Sequence, residues 1–413
     1  MKITTATRWA LNLPFYCKHV EQAMHRAQTH DERVYVYRIE TDAGIVGYGD
    51  SLAAHDVERL VGQNPFALMH NDAIGFGPQL AVLDAAGKAA GVPVHALLGK
   101  KLRNRCPFSW WAIDMPPEDW AAEARASLKR GYTCFKVKAR PWRDIRQQIE
   151  TVSKAVLGDY RLDVDFNGFL LNQAGAEGVL QQLDACPNVG IYESPFYLAQ
   201  DLTGARMLRE RVRKPIAEHF REECLHAHAC DGFVIGGGAA QVRRQAELAA
   251  AFNKPFWLQM VGTGITTTFA AHLGAVLSHA QLPYITCHEL WKHDLLKKRL
   301  VVKDGYLEVP DAPGLGIDVD EKAIENYSVD PAEPTPKQRY RQQKRILRIA
   351  WPGGSRKQRV WEFTDEAVYQ QAFYRGSIPG FQPGVSLTVI ENDGSAAFRK
   401  LHARLKEREA AVA

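Results

Sequence analysis

The chain has 413 residues, of which 46% are hydrophobic and 24% are charged. This composition is typical of a folded globular protein and excludes collagen, coiled coil or disorder as the main architecture. No apolar run reaches the roughly 18 residues that a bilayer-spanning helix needs, so we expect no membrane segment. The net charge of +5 is uneven: nine Lys or Arg residues and no acidic residue lie between Lys337 and Arg359, and removing these nine charges changes the net charge from +5 to −4.

The cysteines and the N-terminal residues indicate the cellular compartment in which the protein is expected to fold. Seven cysteines, an odd number, are scattered along the chain without a C-x-x-C pair. The first residues lack the apolar core and the small-residue cleavage site of a signal peptide. Both features predict reduced thiols and a cytoplasmic protein, because disulfide frameworks belong to oxidising compartments.

The N-terminal third predicts a small sheet followed by helices. Residues 1–13 and 33–51 are predicted as strands, and Arg33–Glu40 alternates apolar and polar side chains as half-buried strands do. The stretch from Pro14 to Glu32 is predicted as a long polar loop. A helical period is clearest from Gln79 to Ala90.

From about residue 106, short β-branched runs alternate with helical stretches. This alternation predicts βαβ units and a parallel sheet, and eight runs predict a closed (β/α)₈ barrel. An open doubly wound sheet is the competing fold, but no G-x-G-x-x-G opens its first helix. The predicted strands are Pro107–Ile113, Thr133–Lys138, Arg161–Asn167, Gly190–Glu193, Lys214–His219, Gly232–Ile235, Pro255–Val261 and Pro283–Cys287.

After about residue 330 the pattern changes again. Three prolines form a stiff linker, the basic run follows, and short strands are predicted at Val360–Phe363 and Val385–Ile390. We interpret this stretch as a small appended module outside the barrel. Its basic run is interpreted as a solvated or subunit-facing strip and not as a nucleic-acid site, because no RNA- or DNA-binding motif accompanies it.

Polar residues end four successive predicted barrel strands. The steps from Lys138 to Asp165, then to Glu193 and then to His219 are 27, 28 and 26 residues. Each step is the length of one βα repeat, so the four side chains would meet at one mouth of the barrel. Clustered carboxylates need a cation, and oxygen ligands suit Mg²⁺. Lys136 shares a strand face with Lys138, and their repulsion and burial would lower a lysine pKa towards that of a useful base.

These motifs together resemble the enolase superfamily, in the branch of mandelate racemase and muconate lactonizing enzyme. The K-x-K at Lys136 and Lys138, the D-x-N at Asp165 and Asn167 and the E-x-P at Glu193 match its barrel motifs. Three further stretches resemble the family's cap glycine motif, its cap helix and its return to the cap: Ile39–Asp50, Gln79–Leu98 and Gly314–Ile317.

The resemblance implies a modified (β/α)₇β barrel closed by an N-terminal α+β capping domain. The domains would be a cap at 1–105 with a return segment at 300–328, a catalytic barrel at 106–300 and a C-terminal basic extension at 329–413. It also implies that Mg²⁺ holds a substrate carboxylate and that Lys138 removes the α-proton. Lys136 would tune Lys138, and Asn167 would lie near the metal-bound oxygens. Homo-oligomerisation is a further expectation from the family.

The third metal ligand departs from the family pattern. Strand five normally presents Asp or Glu, whereas this chain reads Ala217-Glu218-His219. Strand alternation forbids both polar side chains from facing inward. We expect His219 to be the ligand, with Glu218 as the alternative. A set with one histidine would accept Mn²⁺ or another divalent ion more readily than three carboxylates.

The second catalytic base is also missing. Strand six has no lysine, and strand seven ends Gln259-Met260-Val261 with no histidine. The following Gly262-Thr263-Gly264 turn could present N–H groups to a distal anionic end of the substrate. On strand eight, His288 or Glu289 would serve as general acid or would polarise the carboxylate. In the cap loop, His19 and His25, with Lys18 and Arg26, would read distal groups of the substrate.

One base opposite a metal suits elimination better than racemisation. We therefore predict a Mg²⁺-dependent lyase that dehydrates an acid sugar or related hydroxy-acid. The alternatives are an epimerase or cycloisomerase, with Tyr132, His219 or His288 as the partner base, and a non-catalytic scaffold that keeps the fold. The expected partner is a small carboxylate substrate.

Overall fold

The computed structural model describes residues 1–27, 32–156, 158–352 and 358–410. It has three parts in contact: an N-terminal cap, a barrel and a C-terminal module. Among the helices in these ranges, none is both long and apolar enough to cross a bilayer.

The cap is an antiparallel sheet with helices on one face. Its strands are β1 Ile3–Asn12, β2 Arg33–Thr41 and β3 Val46–Ser51. Its helices are α1 Lys18–Arg26, α2 Pro65–Leu68, α3 Phe76–Ala90 and α4 Val94–Leu98. Helix α3 packs so closely on β3 that a Cβ on Gly49 would lie 2.0 Å from the carbonyl oxygen of Gly77. This close approach explains the alternating glycines of β3.

The prediction of a loop from Pro14 to Glu32 is wrong over nine residues. Helix α1 forms there because Val20, Ala23 and Met24 recur at helical spacing and are buried. Helix α1 is the part of the cap that lies at the mouth of the barrel.

The barrel sheet has seven parallel strands in consecutive order from β5 to β11. They are β5 Trp110–Ala112, β6 Cys134–Lys138, β7 Arg161–Asp165, β8 Val189–Glu193, β9 Ile216–His219, β10 Gly232–Ile235 and β11 Phe256–Leu258. The eighth predicted strand is reduced to two parallel bridges, from Tyr284 to Phe108 and from Ile285 to Gln259. These bridges join the two edges of the sheet, and the predicted modified barrel with its cap is confirmed.

Helices surround the barrel strands. They are α5 Pro117–Lys129, α6 Ile145–Ala155, α7 Gln173–Leu183, α8 Leu202–Arg211, α9 Glu222–His226, α10 Ala239–Ala251 and α11 Gly264–Val276. Side-chain caps define several of their starts; the Asp144 carboxylate, for example, accepts from the backbone N–H of Gln147 at 3.1 Å.

After the barrel the chain returns to the cap. A short strand β4, Arg105–Pro107, pairs antiparallel with β12, Tyr306–Glu308. Helix α12, Glu321–Tyr327, then leads to β13, Ser328–Val329, which pairs with β1. The segment between residues 300 and 329 thus ties the barrel to the cap sheet.

The C-terminal module is a three-stranded antiparallel sheet with helices. Its elements are α13 Pro336–Gln342, β14 Arg345–Trp351, β15 Arg359–Phe363, α14 Glu366–Tyr374, β16 Ser386–Glu391 and α15 Ala396–Ala410. The interpretation of the basic run as a solvated strip is wrong at Lys337 and Arg345, whose side chains are buried. They are buried because α13 packs against α1 and β14 is the central strand of the module.

Candidate active site

The register of the barrel sheet places the predicted polar residues side by side. Lys138 pairs with Asp165, Asp165 with Glu193, and Glu193 with Ala217. Paired residues of neighbouring parallel strands point to the same face, and side chains alternate along a strand. His219, two residues beyond Ala217, is therefore on the face that carries Lys138, Asp165 and Glu193, and Glu218 is on the other face.

Lys138 is a buried amine held against a carboxylate. Its Nζ lies 2.5 Å from Oδ2 of Asp165, and its side chain is 4% exposed. Burial lowers the pKa of Lys138, the neighbouring Lys136 lowers it further, and Asp165 only partly opposes this. A lowered pKa increases the neutral fraction that can accept a proton.

Lys136 has the opposite character, although it lies two residues away on the same strand. Its Nζ forms an ion pair with Glu193, donates to Oε1 of Gln259 at 2.6 Å and lies 5.3 Å from the Trp257 ring centroid. Burial would lower the pKa of Lys136, but Glu193 and Asp165 raise it more. Lys136 therefore stays an ammonium that repels a proton on Lys138.

Asp165 and Asn167 form one local structure at the end of β7. Burial would raise the pKa of Asp165, but Lys138 and Lys136 together lower it. The backbone N–H of Asn167 donates to Oδ1 of Asp165 at 2.8 Å, and Asn167 has a left-handed φ of 46°. This turn leaves the Asn167 side chain at the cavity, where its Oδ1 accepts from Arg140 at 3.1 Å.

Two of the three residues proposed as metal ligands, Glu193 and His219, lie close enough together to share a divalent cation. Asp165 and Glu193 are buried carboxylates, and Oε1 of Glu193 has no hydrogen-bond partner within the described ranges. The same oxygen lies 3.5 Å from Nε2 of His219, whose side chain is 53% exposed at the cavity. A buried carboxylate oxygen without a donor, facing an imidazole nitrogen, is suited to sharing a cation with it.

Glu218 is engaged elsewhere. It accepts from Oγ of Ser194 at 2.7 Å and from the backbone N–H of His219 at 2.8 Å. Burial raises the pKa of Glu218. Its place on the other face of β9 favours His219 as the third ligand, and this assignment stays a prediction.

The Gly262–Gly264 turn binds an anion that belongs to the chain itself. The backbone N–H of Thr263 donates to Oδ2 of Asp50 at 2.6 Å, and that of Thr266 donates to Oδ1 at 2.8 Å. The N–H of Gly262 donates to the carbonyl oxygen of Thr286. Because these donors are bonded within the chain, the turn joins the cap to the barrel and has no free donor at these positions for the substrate.

His288 and Glu289 lie in a buried 3₁₀ turn after the eighth strand position. Burial lowers the pKa of His288 to about 3 and raises that of Glu289 to about 8. Nε2 of His288 lies 3.4 Å from the Tyr132 hydroxyl, and burial raises the pKa of Tyr132 well above its usual value. Glu289 is therefore the group here that is protonated at neutral pH and able to donate, but neither it nor His288 is among the described residues that line the cavity.

In the cap, the structure separates the four candidate side chains of α1, of which Lys18 is not among the described residues that line the cavity. His19 lies 2.6 Å from Glu123, and His25 lies 3.1 Å from Glu32; among the described residues neither lines the cavity. Arg26 lines the cavity and forms an ion pair with Asp114 at 3.0 Å.

The cavity has a volume of about 410 Å³, within the range of small-molecule sites. Barrel residues at its base include Lys138, Asn167, His219 and Gln259. Sequence reasoning missed a second group of lining residues: Arg140, Glu366, Gln370 and Tyr374. Their only sequence signal is the i, i+4, i+8 spacing of the last three, which becomes meaningful once α14 is known to face the barrel.

Comparisons with known proteins agree with this architecture. The family described as enolase C-terminal domain-like matches residues 119–323. The chain is similar to the N-succinyl-L-Arg/Lys racemase of Bacillus cereus, with 25% identity covering 80% of this chain and 98% of the relative. The crystal structure of that racemase matches with a TM-score of 0.67.

Two further relatives carry different activities in their names. Muconate cycloisomerase 1-1 of Acinetobacter lwoffii is 30% identical over 61% of this chain and 69% of its own length. A probable glucarate dehydratase of Streptomyces coelicolor is 29% identical over 60% of this chain and 64% of its own. The similar proteins thus include a racemase, a cycloisomerase and a dehydratase.

Proposed function

Because the chain belongs to the enolase superfamily, in the branch of mandelate racemase and muconate lactonizing enzyme, we propose that it dehydrates an acid sugar or related hydroxy-acid. The first step is removal of the proton α to the substrate carboxylate by Lys138. The observation that carries the proposal is the buried Lys138–Asp165–Glu193 row, which reaches the cavity at Lys138, with the pKa of Lys138 lowered.

Different residues of the site have different roles in the proposed reaction. Lys138 accepts the α-proton as a neutral amine, and Lys136 keeps its proton because Glu193 and Gln259 hold it. Asp165, Glu193 and His219 would hold a divalent cation, Mg²⁺ being the ion that members of the superfamily generally use. The chemistry that this cation supplies when bound is stabilisation of the negative charge that develops on the substrate carboxylate.

Dehydration is preferred because β10 and β11, the strands on which a second base is expected, carry no lysine or histidine. Strand β11 and its continuation present Trp257 and Gln259 instead, and Gln259 is bonded to Lys136. After the α-proton moves to Lys138, the hydroxyl on the neighbouring carbon takes up a proton and leaves as water. Elimination leaves an enol at C2, and its tautomerisation, with loss of the hydroxyl proton and uptake of a proton at C3, gives a 2-keto-3-deoxy acid. Of the two candidates for the acid that protonates this hydroxyl, Glu289 and His288, only Glu289 holds a proton at neutral pH.

An epimerase or cycloisomerase is the second candidate, favoured by one observation. His219 lines the cavity with half of its side chain exposed, and a histidine there can exchange protons with a substrate if it is not a metal ligand. The same experiment separates the two candidates.

The test is proton NMR in D₂O with Mg²⁺ and a library of hydroxy-acids, acid sugars and N-acyl amino acids. We expect loss of the α-proton and a new 2-keto-3-deoxy pattern with at least one acid sugar. Deuterium at Cα without elimination would favour the epimerase instead. Absence of both with every compound would contradict the proposed chemistry, provided that divalent-ion binding is shown in the same sample.

A further inference from the structure

The outer wall of the cavity comes from a part of the chain that the family match does not include. Glu366, Gln370 and Tyr374 are four residues apart on α14, so they share one face, and all three line the cavity. The family match ends at residue 323, and the Bacillus cereus racemase covers 80% of this chain while matching 98% of itself. The wall thus lies outside the matched family domain.

This wall is packed against the barrel loops by aromatic and backbone contacts. The Trp142 and Tyr369 rings meet edge to face at 5.1 Å, and Phe169 stacks on Tyr374 at 5.9 Å. The backbone N–H of Gly384 donates to the Asp144 carboxylate at 2.8 Å. These contacts hold α14 at the loops that follow β6 and β7, beside Lys138 and Asp165.

Arg140 is the residue of this cavity that indicates an anionic ligand. Its side chain is buried, at 7% exposure, and lines the cavity two residues beyond Lys138. Its guanidinium donates to the Ala139 carbonyl and to Oδ1 of Asn167, and it lies 5.2 Å from the Phe169 ring centroid. None of these partners is an anion, and in the described ranges Arg140 has no ion pair. A buried guanidinium without a counter-ion is costly, and an anionic ligand would offset that cost.

The neighbouring arginines differ from Arg140 in this respect. Arg26 lies 3.0 Å from Asp114 and 3.4 Å from Glu366, and Arg143 lies 3.3 Å from Asp114. Their charges are compensated within the protein. Of the three, Arg140 alone forms no ion pair in the described ranges, and the carboxylates of Asp165, Asp114 and Glu366 act on its charge only from beyond contact distance.

We propose that Arg140 and the α14 wall form a subsite for a second acidic group, so that the substrate is a hydroxy-dicarboxylic acid of the aldarate type. One carboxylate is placed at the Asp165–Glu193–His219 set, and the other accepts from Arg140. Gln370, on α14, provides an amide beside the second carboxylate. This inference rests on the proposed function for the position of the first carboxylate.

The test compares matched acids that differ only at the far end of the molecule. D-Glucarate is paired with D-gluconate, and galactarate with D-galactonate, in calorimetric titrations with Mg²⁺. The Lys138→Ala background prevents turnover during the titration. We expect the dicarboxylate of at least one pair to bind about 10- to 100-fold more tightly, the size of a charged bidentate contact.

Variants assign this preference to the subsite. Arg140→Gln should remove it, and Arg140→Lys should keep part of it, which separates loss of charge from loss of fold. Gln370→Ala should weaken dicarboxylate binding, whereas Gln371→Ala, on the exposed face of the same helix, should not.

Equal affinities within every pair, or a preference that survives Arg140→Gln, would overturn the subsite. Because binding is measured without turnover, failure of the proposed reaction has a different signature. In that case the dicarboxylate preference persists while the Mg²⁺-supplied wild-type protein produces neither exchange nor elimination with the bound acid.

Discussion

The base of the cavity and its outer wall are built in different ways. The base consists of side chains at consecutive strand ends, held in register by the ladder from Lys138 through Asp165 to Glu193. The wall consists of one face of α14, held by aromatic packing such as Trp142 on Tyr369, and Arg140 lies beside it at the cavity. The base and Arg140 lie within the superfamily match, and α14 lies beyond it.

This difference suggests a division of roles, in which the base of the cavity carries out the proposed chemistry and the wall selects the substrate. Groups that remove a proton and hold a cation need the positional accuracy of a hydrogen-bonded sheet, because small displacements cost large factors in rate. Groups that recognise the rest of the substrate can be supplied by an added module. Substitutions in the wall should therefore alter stability and ligand choice, and those in the base should alter metal binding and catalysis.

The largest effect should come from loosening the wall. Phe373 is buried and packs between Phe169 and Tyr369. Phe373→Ala should destabilise the module by about 3–5 kcal/mol through lost burial and the resulting cavity. Urea unfolding of the full chain measures this loss. Val360→Ala, at an exposed position in the same module, should change stability by less than about 0.5 kcal/mol. Equal effects of the two substitutions would contradict the packing described.

The next effect concerns the base and decides the third ligand. His219→Ala should weaken Mn²⁺ binding about 100-fold, because it removes one of the three proposed protein ligands. Glu218→Gln should change the affinity by less than about 3-fold, because Glu218 lies on the other face of β9. Calorimetry with Mn²⁺ measures both variants. The reverse ranking would assign the site to Glu218.

A smaller effect is a pH dependence in the wall. Burial raises the pKa of Glu366 to about 7, and Arg26 only partly opposes this shift. The folded protein therefore binds a proton more tightly than the unfolded chain, and stability falls as pH rises from about 4.5 to 7. Glu366→Gln removes the titrating group, so the Tm of the variant relative to wild type should rise across this range. The net gain should be about 1 kcal/mol at pH 8, because Arg26 also loses its ion pair. A Tm difference that is constant with pH would refute the assignment.

The strand residues of the site could be predicted from the sequence, and the wall could not. Strand spacing and alternation predict that Lys138, Asp165, Glu193 and His219 share one face of the sheet, because side chains on regular strands alternate at fixed intervals. No such rule exists for Arg140 in a loop or for α14 in a separate module, whose positions depend on tertiary packing. The Gly262–Gly264 turn illustrates the same limit: its donors look free in sequence, yet they bind Asp50, more than 200 residues earlier.

Helix α1 and the basic run mark two further limits. Most residues between Pro14 and Glu32 are polar, so the helical spacing of Val20, Ala23 and Met24 is a weak signal in the sequence. Burial of these three side chains stabilises the helix in the folded protein. Lys337 and Arg345 read as surface residues by type, but their neighbours in the fold bury them. In both places tertiary contacts override local composition.

The central claim is that Lys138 removes a proton α to a carboxylate. The direct measurement is the rate at which deuterium from D₂O enters Cα of an acid that the wild-type protein exchanges, followed by NMR for wild type and Lys138→Ala. We expect the variant to be at least about 100-fold slower while it still binds Mn²⁺ and stays folded. Exchange at an unchanged rate in Lys138→Ala would contradict the account and assign the base to another residue.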